Sequence, residues 1–168
     1  MLKKVALAAA LGAALSSNAA LALTATTTMP VTATLTGSCT VSATTLDFGN
    51  IITIIGVDTD TTATVAVNCT SLLPYNIAID DGTHIGPGLH TRQMQSPATA
   101  TLKYQVYTDA ARTTVADSVG ASNVFDTAGY GSGTGAVQSI VVYGRVLQQV
   151  SSPAAATYTD TLGITVNY

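Results

Sequence analysis

The sequence has no tryptophan, no glutamate, two cysteines and two phenylalanines, and only 9% of its 168 residues are charged. Each shortage closes off a class of function. With nine aspartates as the only side-chain carboxylates, paired-carboxylate acid–base chemistry has little to work with. Six Lys and Arg and a formal net charge of −3 leave no basic stripe for a polyanion, which excludes nucleic acid as a partner. At 47% hydrophobic the chain is too apolar for a disordered acidic tail. Beyond residue 22 no apolar run is long enough to span a bilayer.

What is abundant is threonine, 29 of the 168 residues. A Thr-rich, Glu-free composition starves helices and suits pleated, half-exposed strands, so the expected class is all-β. The first segment is set aside before any fold argument. Met1-Leu2-Lys3-Lys4 is a short basic region ahead of the apolar run Val5 to Leu15, and small residues follow at Ser17, Ala19, Ala20 and Ala22. This reads as a secretory signal peptide over residues 1–22, with the mature chain beginning between Ala20 and Leu23. Its removal takes Lys3 and Lys4 away and moves the formal charge from −3 to −5. The remainder is expected to comprise an N-terminal segment over 23–36 and a single domain over 37–168. A domain of this size buries about 70% of the surface of its unfolded chain, enough for one sound core.

Export places Cys39 and Cys69 in an oxidising compartment, where a disulfide is the default reading. Closing that loop removes denatured-state entropy equivalent to roughly 3.5 kcal/mol on the chain-entropy account. The alternative, a metal pair, lacks further Cys or His ligands nearby.

From Thr24 to Thr36 the residues alternate with a period of two. Ala25, Thr27, Met29, Val31, Ala33 and Leu35 fall on one face, and Thr or Pro occupy every position of the other. Such a strand could extend some 40 Å at about 3.3 Å per residue, long for a small domain. Pro30 lacks an N–H and argues against a central strand of its own domain. Shorter strand-like runs follow at Leu46 to Gly49, Thr62 to Cys69, Tyr75 to Ile79, Leu102 to Thr108, Ser139 to Val146 and Tyr158 to Tyr168, with turn residues between them. Their number and spacing suit a β-sandwich of immunoglobulin type. The last run alternates up to Tyr168 with no covering strand after it, so the sandwich is expected to lack one strand of its own.

Other candidate sites have plainer readings. Asp80-Asp81-Gly82 reads as a turn rather than an acid–base pair. His84 and His90 lie near those aspartates, where a weak surface metal site is the sharper reading and solvated loop histidines the preferred one. The glycines from Gly129 to Gly135 lack phosphate-loop spacing and read as a flexible hairpin loop. No Gly-x-Ser-x-Gly elbow appears. Asn68-Cys69-Thr70 matches a glycosylation sequon by chance. Tyr75, Tyr104, Tyr107 and Tyr143 fall at strand spacing and fill or edge a core, which leaves Tyr130 as the tyrosine free to bind. No catalytic, cofactor-binding or metal residue is assigned, and the chain is not read as an enzyme.

Across Cys39 to Tyr168 the chain resembles the spore coat protein U-like family, the subunits of archaic (Csu-type) chaperone-usher pili. The matching pieces are Leu46-Asp47-Phe48-Gly49, Cys69 with Pro74 to Gly82, Arg92-Gln93-Met94, Leu102 to Asp109, Arg112-Thr113, Tyr143-Gly144-Arg145-Val146 and Tyr158-Thr159-Asp160-Thr161. Two stretches depart from the family pattern, Val115-Ala116-Asp117 where a Trp is common and Ala154-Ala155-Ala156 before Tyr158, both expected in loops. The resemblance implies an incomplete immunoglobulin-like sandwich, held by a periplasmic chaperone and assembled at an outer-membrane usher into a surface fibre serving adhesion or biofilm formation. Each subunit's N-terminal extension would complete the next copy of itself or of a related subunit. On that reading Ala25, Thr27, Met29, Val31, Ala33 and Leu35 are the donor face, and Leu162, Ile164, Val166 and Tyr168 edge the acceptor groove. The competing reading is a free-standing secreted binding module or adhesin, which would tolerate loss of Thr24 to Thr36.

Overall fold

The computed structural model describes residues 23–52, 54–88, 90–116 and 131–168. The expected leader, Asp117 and Tyr130 lie outside the described residues. A boundary between Thr34 and Leu35 divides the chain into two units. Residues 23–34 carry no strand, and their side chains are exposed.

The unit from Leu35 holds seven described strands: β1 (Cys39–Ala43), β2 (Thr59–Cys69), β3 (Asn76–Ile79), β4 (Arg92–Gln95), β5 (Thr101–Tyr107), β6 (Val137–Val146) and β7 (Ile164–Asn167). They form two antiparallel sheets, a five-stranded one in the order β1-β2-β6-β5-β4 and a two-stranded one pairing β3 with β7. No helix occurs among the described residues, as the composition leads one to expect. None there is long and apolar enough to cross a membrane.

The two longest strands show why the sandwich forms. In β2, Ala63, Val65, Val67 and Cys69 point to one face and are buried, and in β6 Ile140, Val142 and Val146 do the same. Period-two patterning puts each set on a single face. Their register pairs Val65 with Ile140 and Ala63 with Val142. Leu102, Tyr104 and Val106 of β5 extend this face, and Ile77 and Ile79 of β3 oppose it from the second sheet in the same core.

β1 lies across β2 with Cys39 opposite Cys69, and the two are disulfide-bonded with Cα atoms 4.1 Å apart. Gly133 lies against the Cys69 end of β2, where a Cβ would collide with the carbonyl oxygen of Thr70 and approach Cys69 Cβ within 2.8 Å. The stretch read as a flexible hairpin loop is therefore paired where it is described. Leu72 N donates to Gly133 O at 2.7 Å, Gly133 N to Leu73 O at 2.7 Å, Tyr75 N to Gly131 O at 3.2 Å and Gly135 N to Cys69 O at 3.0 Å. At Gly133 the glycine lets backbone pack on backbone, and at Gly135 it takes a left-handed conformation, φ +74°.

Two further expectations change. Leu46 to Gly49 is no strand: Gly49 N donates to Asp47 Oδ1 at 2.8 Å in an Asx turn with Gly49 at φ +65°, a left-handed conformation that suits glycine. Val115 and Ala116 are tied into the fold rather than looped out, Val115 bridging to Tyr107 and Ala116 buried.

Candidate functional site

The core has an opening. A cleft of about 1060 Å³, polar where residues 44–50 and 152–161 line it, reaches apolar side chains of both sheets, among them Val65, Val142, Leu102, Ile79 and Ile164. The strands that flank the sandwich show the same deficit. Val41 shares a face of β1 with bonded Cys39 yet is 41% exposed, and Ala43 beyond it is exposed too. On β7, Ile164 and Val166 alternate with exposed Thr165 and Asn167 and are only half-buried, although they pack on the core. Both strands have core-type patterning and incomplete cover.

Backbone pairing shows which edge is open. The terminal segment is paired along one side only among the described residues: Thr159 exchanges both bonds with Gln95, Thr83 N donates to Thr161 O, Asp80 N donates to Gly163 O, and β7 pairs with β3. The expected run from Tyr158 to Tyr168 is thus an extended, single-sided ladder of which four residues form regular strand. Among the described residues β1 pairs with β2 alone and ends the large sheet. An edge of unpaired N–H and C=O groups beside uncovered apolar side chains is a template for an added strand.

The four residues expected at the groove edge fall in two groups. Leu162 and Ile164 line the cleft; Val166 packs on the core, and Tyr168 is exposed. On the other face of the question, Met29, Val31 and Leu35 are each 85–87% exposed, and Ala25, Thr27 and Ala33 are exposed as well.

The cleft wall is fixed by a buried polar hub that the sequence reading passed over. The side chain of Asp160 is only 3% exposed. Its Oδ1 accepts from Thr83 Oγ1 at 2.6 Å, Thr83 N at 3.0 Å and His84 N at 3.1 Å, with His84 Nδ1 at 3.1 Å, and its Oδ2 accepts from Tyr104 OH at 2.7 Å. Burial pushes the Asp160 carboxyl upward, but the donors from Thr83, Tyr104, Thr161 and His84 outweigh it and hold the group below the usual carboxylate range. Burial first, and then the bond to Asp160, push the Tyr104 phenol far above its ordinary value. A Cβ at Gly82 would collide with Asp160 Oδ2, so Gly82, at φ +83°, lets the loop close on the carboxylate. Asp80 Oδ1 adds a second clamp by accepting from Gly82 N at 2.9 Å and Gly163 N at 2.8 Å. The Asp80-Asp81-Gly82 turn therefore ties the terminal ladder to the β3–β4 connection.

Arg92 does the corresponding work inside the core. It is 1% exposed; its Nε and Nη2 donate to Asp80 O, Nη2 also to Ile79 O and Ala116 O, and Nη1 to Gln105 Oε1 at 2.6 Å. One guanidinium thereby joins the ends of β3, β4 and β5 to residue 116. The Leu46-Asp47-Phe48 piece covers a further part of the wall. Leu46 and Phe48 pack where a side chain on Gly144 would stand, within 2.9 to 3.0 Å of its Cβ, and Phe48 meets Tyr104 edge-on with ring centroids 6.2 Å apart.

The other candidates resolve as structure. His84 and His90 face different aspartates, His84 on Asp160 and His90 Nδ1 on Asp81 Oδ1 at 3.2 Å. No cluster of three potential metal ligands occurs among the described residues. Tyr75, Tyr104 and Tyr107 are buried and Tyr143 is half-buried, and the Arg112 guanidinium stacks 5.7 Å from the Tyr143 ring centroid. Asn68 is exposed in the middle of the large sheet, paired to both β1 and β6.

Comparison with known proteins follows the same line. No curated protein matches the sequence. Among solved structures, a chain of the CsuC–CsuE chaperone–tip adhesion subunit pre-assembly complex from the archaic chaperone-usher Csu pili of Acinetobacter baumannii is similar, with a TM-score of 0.58 and 21% identity. That match covers 80% of this chain and 40% of the other, and it bears on the fold: an all-β, immunoglobulin-like sandwich. The Spore Coat Protein U domain matches residues 25–165, most of the sequence, and the chain belongs to that family.

Proposed function

We propose that the protein is a structural subunit of an exported surface fibre that polymerises head to tail by donor-strand complementation. Residues 24–36 of one copy enter the cleft of the next, with Ala25, Thr27, Met29, Val31, Ala33 and Leu35 facing inward beside Leu162, Ile164 and Val166, and Tyr168 at the far end of the edge. The observation that carries the reading is the uncovered core: a cleft that opens onto core side chains and two half-covered flanking strands in a sandwich whose central strands bury their inward faces. The alternating, exposed segment over 24–36 supplies a matching face. Burying Met29, Val31, Ala33 and Leu35 gains roughly 1–3 kcal/mol for each larger side chain, and backbone pairing along the free edge adds to it. A one-residue slip would turn all of them outward, which fixes register. Donation of this kind does not close on itself and so builds filaments.

An uncovered cleft is also an aggregation hazard, so the unassembled subunit needs a periplasmic chaperone to cover it and an outer-membrane usher to exchange that cover for a neighbour's strand. The leader at residues 1–22 provides export. The similar chain's place in a chaperone–subunit complex is consistent with this. The test is Val31→Asp and Met29→Asp, each of which puts a charge on the inserted face. Polymer measured as a ladder on unheated denaturing gels should fall by more than tenfold, while each variant still accepts a strand from the wild type. Undiminished ladders in both variants would contradict strand donation.

A further inference from the structure

The two halves of this joint each carry one thioether. The chain has three methionines, Met1, Met29 and Met94; Met1 belongs to the expected leader. Met29 is on the donor face and 85% exposed. Met94, on β4, is half-buried, packs on the core and lines the cleft. Competing soft targets are absent: there is no tryptophan, and both cysteines are bridged. Methionine sulfur is therefore the most readily oxidised side-chain atom in this subunit, and Met29 the accessible instance.

We propose that Met29 is a peroxide-sensitive modification site that switches off strand donation before assembly and is shielded by it afterwards. The inference rests on the reading of residues 24–36 as the donor segment. In the reaction a sulfur lone pair attacks one oxygen of hydrogen peroxide and the O–O bond breaks. The sulfur gains one oxygen and is oxidised by two electrons, and the peroxide is reduced to water. The product is a polar, chiral sulfoxide in place of a flexible apolar thioether. Inside a cleft walled by Val65, Ile79, Leu102 and Val142 the sulfoxide oxygen must give up its water, which disfavours insertion. Once the strand is inserted, the same wall keeps peroxide away. Oxidant thus arrests new growth while leaving existing fibre intact.

The test uses the full exported chain. Unassembled subunits are treated with hydrogen peroxide, the sulfoxide is located by peptide mass spectrometry, and polymerisation is followed on unheated gels beside untreated protein, Met29→Leu and Met94→Leu. Leucine conserves volume and apolarity and sits in an exposed segment at position 29, so folding is not at issue. Oxidised wild type and oxidised Met94→Leu should polymerise at least tenfold more slowly, and oxidised Met29→Leu at its untreated rate. Methionine sulfoxide reductase should restore the wild type, and preformed polymer should keep Met29 unoxidised. Normal polymerisation of protein carrying Met29 sulfoxide would overturn the proposal alone. If untreated protein polymerised no better than a chain lacking 24–36, the donor reading would fall and this inference with it.

Discussion

β2 and β1 lie side by side with the same alternation, and only one of them is covered. Val67 on β2 is fully buried, while Val41, its register partner on β1, is 41% exposed. β3 and β7 repeat the contrast: Ile77 and Ile79 are buried, whereas Ile164 and Val166 opposite them are half-buried. Patterning states which face a residue is meant to bury, and accessibility states whether anything buries it. The two disagree along both flanking strands, which is the pattern the proposed strand donation would explain.

That comparison can be pressed in several ways. The largest effect in the isolated subunit is expected for Arg92→Leu, which strips five donors from buried carbonyls and Gln105; the loss should be about 4 kcal/mol in chemical denaturation. It would fall on the covered part of the fold and leave the donor segment untouched, so the variant's strand should still be accepted by wild-type copies. Next, Val67→Ala should cost about 2 kcal/mol whether the protein is monomeric or assembled, because its site is filled in both. Val41→Ala should cost under about 0.5 kcal/mol in the monomer and more in the polymer; equal costs in the two states would break the comparison. An effect between those of Val67→Ala and Val41→Ala is expected at Asp160. Its folded-state pKa is depressed, so its contribution is whole above about pH 4 and is lost as the pH falls through the lower folded value. Asp160→Asn should lower stability at pH 7 by about 1–2 kcal/mol and flatten the acid limb of the stability profile relative to wild type. Asp60 and Asp109 are also depressed and remain in both proteins, so the difference isolates the hub.

The parts legible in the sequence are those where hydrophobicity alone sets the face. β2 and β5 alternate over seven residues and β6 carries a strongly apolar run, and the disulfide follows from export. β1 is hard to read because its alternation, Cys39, Val41 and Ala43 against Thr40 and Ser42, spans five residues and carries one large apolar side chain. β4 is hidden for a different reason: in Arg92-Gln93-Met94-Gln95 the fully buried residue is an arginine, held by carbonyl hydrogen bonds rather than by apolarity, and a binary pattern places it outside. Residues 131–135 read as a loop because glycine usually marks one, yet Gly133 marks close backbone approach over Thr70 and Cys69. The alternation of residues 24–36 and of the terminal run is visible as pattern, but the Asp160 hub is not. Its partners Thr83, His84 and Tyr104 are separated by 56 to 77 residues in the chain, and no local spacing announces a carboxylate that converges on them.

The most direct test of the central claim compares the exported, oxidised protein with a version lacking Thr24 to Thr36, each run unheated on a denaturing gel and imaged by negative-stain microscopy. The account predicts a ladder and thin filaments from the intact chain and neither from the shortened one, which should also be the less soluble because its cleft stays open. Compact, equally stable monomers from both would contradict it and would make the protein a free-standing secreted binding module.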